Sequence, residues 1–78
     1  MNEEVFFDAL VRAFQRPDEE FVVDERTSVA YDFARGEVTV RTMGSRVVRH
    51  RIPHGYSGEC LWSALRGIAR DERTSERR

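Results

Sequence analysis

The chain has 78 residues, 40% of them apolar and 35% charged, and a formal net charge of −1. That size and apolar share suit one small folded domain and argue against wholesale disorder, and the near-zero charge argues against binding polyanions by bulk charge. One cysteine excludes an internal disulfide, and no apolar run approaches the ~20 residues that span a bilayer.

The charge is unevenly divided. Residues 1–25 carry eight acids and two arginines, net −6, whereas residues 26–78 carry eleven arginines and six acids, net +5. Lysine is absent. The arginines are spread along the chain rather than clustered, which fits a GC-rich codon bias better than selection for bidentate phosphate contacts.

Asn2 is placed to cap a helix, with Glu3 and Glu4 in its first turn where the helix dipole favours acids. Apolar residues from Val5 to Phe14 then cover an arc of roughly 200°, wider than one sheet contact needs, so this helix should also meet a second helix or another copy of the chain. Pro17 ends it, because proline disfavours helical geometry at Arg16. The helix is acidic and amphipathic, unlike a secretory signal, and the chain reads as soluble and cytoplasmic. Asp18 to Glu20 form a solvated connection, and Phe21–Glu25 reads either as a short strand or as part of the next one.

Residues 29–52 alternate apolar and polar with a period of two and predict three antiparallel strands. A two-residue Arg35-Gly36 turn would set Phe33 opposite Val38, Tyr31 opposite Val40 and Val29 opposite Thr42. For the next connection, a two-residue loop would set Val40 against Arg49 and bury arginines, at a cost of several kcal/mol. A three-residue loop, Met43-Gly44-Ser45, sets Val40 against Val48, Val38 against His50 and Glu37 against Arg51, with Asp32 near Arg49. Arg41, Arg49 and Arg51 then lie on the outer face, with Arg46 at the loop.

Pro53-His54-Gly55 breaks the last strand. Ser57 is placed as an N-cap, Tyr56 and Leu61 as a hydrophobic staple, and Leu61, Ala64, Leu65, Ile68 and Ala69 as the buried stripe of a second helix. Residues 71–78 contain no apolar side chain and are expected to fray. The expected fold is α+β: one domain over residues 1–70, two layers, a three- to four-stranded antiparallel meander with N- and C-terminal helices on one face. With three strands the element order is similar to that of double-stranded-RNA-binding domains. The second helix here opens Ser57-Gly58-Glu59-Cys60, without the lysines that reach phosphate in those domains, so the likeness is one of element order and implies no function.

Chemistry-bearing residues are few. His50, His54 and Cys60 match no closed zinc spacing, and His50 is expected to be a partly buried histidine with a hydrogen-bond partner. Cys60 in the first turn of a helix, with His54 upstream, resembles a thiol and base, but no residue is placed to orient the histidine, and a core or semi-buried cysteine is the simpler reading. There is no phosphate loop, cofactor motif or carboxylate pair, so no enzyme, metal or cofactor is expected. The candidate binding residues are Arg41, Arg46, Arg49, Arg51 and Trp62. They suggest an interaction module for a larger protein or a second copy, with nucleic acid as the alternative for the arginine face.

Overall fold

The computed structural model describes the backbone of residues 2–43, 46–53 and 55–76, and their side chains up to residue 72. Helix α1 spans Glu3–Gln15, strands β1 Glu20–Val22, β2 Thr27–Asp32, β3 Glu37–Thr42 and β4 Arg46–Arg51 follow, and helix α2 spans Gly58–Glu76. The four strands form one antiparallel sheet in the order β1-β2-β3-β4. The fourth strand removes the element-order likeness to the three-stranded RNA-binding domains.

The ends of α1 follow local chemistry. The Asn2 side chain accepts the Glu4 N–H at 2.8 Å, supplying one of the donors a helix start leaves unpaired. Arg16 leaves helical geometry directly before Pro17. Asp18 then takes a positive φ of 69°, which short polar side chains tolerate, and its N–H donates to the Tyr31 carbonyl at 2.8 Å. Strand β1 is shorter and earlier than residues 21–25. It pairs Phe21 with Val29, while Val23 is buried just beyond it and its N–H donates to the Thr27 carbonyl.

The β2–β3 register differs from expectation by two residues. Tyr31 pairs with Val38 and Val29 with Val40, and residues 33–36 form a four-residue turn. Asp32 is the reason. Its carboxylate accepts the Arg35 N–H at 3.1 Å and its carbonyl accepts the Gly36 N–H at 2.8 Å, with Gly36 at φ 65°. A shift of two conserves parity, so the same residues still face inward. Phe33 alone changes role: it leaves the ladder, lies 62% exposed, and meets Tyr31 edge-on at 6.4 Å. The β3–β4 register is the expected one, with Val40 opposite Val48, Val38 opposite His50 and Glu37 opposite Arg51.

Both helices cover one face of the sheet. Phe6, Leu10, Val29, Val38, Val40 and Leu65 are the largest fully enclosed side chains, joined by Ala9, Ala13, Ile52, Ile68 and Ala69. Each fully buried Val, Leu or Phe contributes about 1.5–3 kcal/mol. The wide apolar arc of α1 is accounted for within the chain. Phe14 stacks on Tyr31 with ring centroids 4.0 Å apart, and Phe7 lies against Trp62 of α2 at 5.5 Å. Arg66 of α2 closes that junction: its guanidinium sits 3.9 Å over the Phe7 ring and 2.6 Å from the Glu4 carboxylate, with Glu3 at 3.7 Å.

Helix α2 begins after Ser57, whose carbonyl accepts the Leu61 N–H at 3.5 Å. It continues through Glu76, into the segment expected to fray. Glu72 is only 8% exposed there and lies 3.1 Å from His50 of β4. A polar anchor thus holds turns that have no apolar one. Among the described residues, no helix is long and apolar enough to cross a membrane.

Candidate binding surfaces

Register and parity decide where the five candidate residues stand. Arg41, Arg49 and Arg51 project from the outer face of the sheet, the face no helix covers. Arg41 and Arg49 are diagonal neighbours on adjacent strands, since Arg41 pairs with Val47 and Thr39 with Arg49.

Arg46 does not join them. It is the first residue of β4, paired with Thr42, and alternates with Val47, so it shares the helix-side parity of Val48 and His50. Assigning it to a loop beside the outer arginines is therefore corrected: the strand starts one residue earlier than the valines suggest, and parity turns this residue away. Gly44 and Ser45, on which the three-residue loop was based, lie outside the described residues.

The three outer arginines are not equivalent. Arg41 stands 3.8 Å from Glu20 of β1, whose carboxylate also accepts the Ser28 hydroxyl at 3.0 Å. Asp32, expected near Arg49, instead pairs with Arg35 at 3.8 Å, a consequence of the turn it organises. Among the described residues, Arg49 and Arg51 form no ion pair within 4.0 Å, although Glu37 faces Arg51 across the ladder. The centre of the outer face is built of small or short residues, Ser28, Ala30 and Thr39. Val22, at 74% exposure, and Val47 flank it.

Trp62 belongs to a different surface. It is 47% exposed on the helix layer, beside Phe7, Arg66 and Gly67, with the sheet between it and the outer arginines. The fold therefore unites Arg49 and Arg51 with Arg41 and separates both Trp62 and Arg46 from them. A third surface, an apolar cleft, was not visible in the sequence. Phe14, Pro17, Tyr31, Phe33, Pro53 and Tyr56 line a cavity of about 320 Å³ at the turn end of the sheet. The signal for it was the aromatic count near two prolines, but the register that put Phe33 in a strand hid it.

The histidine and cysteine candidates resolve differently. His50 is partly buried with Glu72 as its hydrogen-bond partner, as its inward parity predicts. Cys60 is exposed rather than core, because the buried side of α2 is defined by Leu65, Ile68 and Ala69. The pairing of Cys60 with His54 rests on His54, which lies outside the described residues. Among the described residues, no group of three His, Cys, Asp or Glu side chains is arranged to hold a metal ion.

No protein family, curated protein or solved structure matches this chain.

Proposed function

We propose that this chain is a small non-enzymatic interaction module that acts in the cytoplasm by docking a larger protein partner on the open face of its sheet. The observation that carries this reading is the pair Arg49 and Arg51, exposed side by side on an uncovered strand without an internal ion pair among the described residues. Next to them lie Val47 and the small residues of the sheet centre, a mixed surface of the kind that favours a protein with acidic and apolar groups.

A second copy of the chain is the less favoured partner. Glu3 and Glu4, the acids best placed to meet another copy's arginines, are engaged by Arg66 of their own chain, and Asp8 pairs with Arg12 at 3.2 Å. Nucleic acid is likewise less favoured. Of four candidate arginines, one is neutralised by Glu20 and one has the opposite parity, and the open strands carry no aromatic side chain on which a base would stack.

The test is affinity capture from host lysate, with and without nuclease treatment, using the wild-type chain and Arg49→Glu/Arg51→Glu. The reading expects a protein retained by the first and lost by the second. Capture unaffected by the double variant, or lost on nuclease treatment, overturns it.

A further inference from the structure

We propose that the free edge of β4 accepts an extended acidic peptide segment as a fifth strand. This rests on the protein-docking reading above and names the partner's chemistry and mode of attachment.

β4 is the last strand in the sheet order and runs for six residues. An antiparallel ladder alternates between residues that exchange hydrogen bonds with the neighbour and residues whose backbone groups point away. The Ile52 N–H donates to the Gly36 carbonyl at 2.8 Å, and the ladder sets Val38 opposite His50 and Val40 opposite Val48. The bonded positions are therefore the even-numbered ones. The outward N–H and C=O groups belong to Val47, Arg49 and Arg51, the residues whose side chains stand on the open face. One strand thus offers three donors and three acceptors in line, next to one apolar and two cationic side chains.

An added strand places a residue directly opposite each of these three, on the same face. Antiparallel addition calls for acid, any residue, acid, any residue, apolar, read from the peptide's N-terminus. Charge complementarity selects this occupant over the β4 edge of a second copy. Pairing two β4 strands brings four arginines, Arg49 and Arg51 of each copy, onto one face of adjacent strands, and like charges across a ladder are destabilising. Arginine on an exposed edge thereby disfavours β4–β4 addition and leaves the edge open to an acidic complement.

The probe is the synthetic peptide Thr-Glu-Thr-Glu-Thr-Val-Thr, with a control in which arginine replaces both glutamates. Amide hydrogen exchange by NMR is the readout. Peptide addition is expected to slow exchange at Val47, Arg49 and Arg51 by about tenfold or more, with little change at Val48 and His50, whose amides are already bonded. Val47→Pro removes one outward N–H without a ladder bond or a charge, so it should keep its melting transition and lose the peptide. Arg49→Glu/Arg51→Glu should reverse the preference toward the arginine control.

Absence of slowing at peptide concentrations up to about 1 mM overturns the proposal. So does equal protection by the two peptides, or protection by a single-stranded oligonucleotide but not by the acidic peptide. If these fail while a partner captured from lysate is still lost by the double charge variant, strand addition is wrong and the docking reading stands.

Discussion

His50 Nε2 of β4 lies 3.1 Å from Glu72 Oε1 of α2, joining the edge strand to the far part of the second helix. Both side chains are largely withdrawn from water, at 21% and 10% exposure. A buried carboxylate without a partner costs about 1–3 kcal/mol or more, so this contact decides whether the polar end of α2 stays docked.

Replacing His50 by alanine should therefore destabilise the chain by about 1–3 kcal/mol, because Glu72 is left without its partner. Glu72→Ala should cost less, since the His50 side chain it leaves behind is the more exposed of the two, at 21% against 10%. Denaturant titration of the two single variants and the double variant measures their coupling; a coupling energy near zero would show that the contact contributes nothing.

Phe6 is the largest side chain enclosed between α1 and the sheet, at 1% exposure. Phe6→Ala should destabilise by about 3–5 kcal/mol, enough to unfold a domain of this size near room temperature. Circular dichroism with urea titration checks it. Val5→Ala on the exposed side of the same helix should change stability by less than about 0.5 kcal/mol.

Arg66 holds α2 to α1 through the Phe7 ring and the two glutamates. Exposed ion pairs are worth about 0.2–1 kcal/mol and a cation over an aromatic ring about 0.5–1 kcal/mol. Arg66→Ala should thus lower stability by about 1–2 kcal/mol, and raised salt should narrow the gap to wild type by screening the ionic part. A gap that salt does not change would assign the whole effect to packing on Phe7.

Asp32 accepts the Arg35 N–H and sets the length of the β2–β3 turn. Asp32→Ala should cost about 1 kcal/mol and broaden the NMR signals of the turn. An Asp32→Asn variant keeps an acceptor oxygen and should retain most of the stability.

The fold was legible in the sequence because parity survives errors of detail. A two-residue register shift between β2 and β3 left Val29, Tyr31, Val38 and Val40 on the inner face. What was not legible depended on single side chains acting at a distance. Asp32 lengthens a turn that Arg35-Gly36 alone suggested would be tight, and so exposes Phe33. Glu72 looked like part of a solvated tail because its partner, His50, is 22 residues away in sequence. Arg46 looked like a loop residue because the apolar pattern of β4 starts only at Val47. The candidate site suffered most from the last of these: pattern alone grouped four arginines, and parity keeps three of them together.

The most direct test of the docking account is calorimetric titration of the captured protein partner against the purified chain, in wild-type and Arg49→Glu/Arg51→Glu forms, over a range of salt. The account predicts at least a tenfold loss of affinity in the double variant, about 1.4 kcal/mol or more, and a modest salt dependence. Unchanged affinity would contradict it, and so would a salt slope of the steepness that many released phosphate counterions produce.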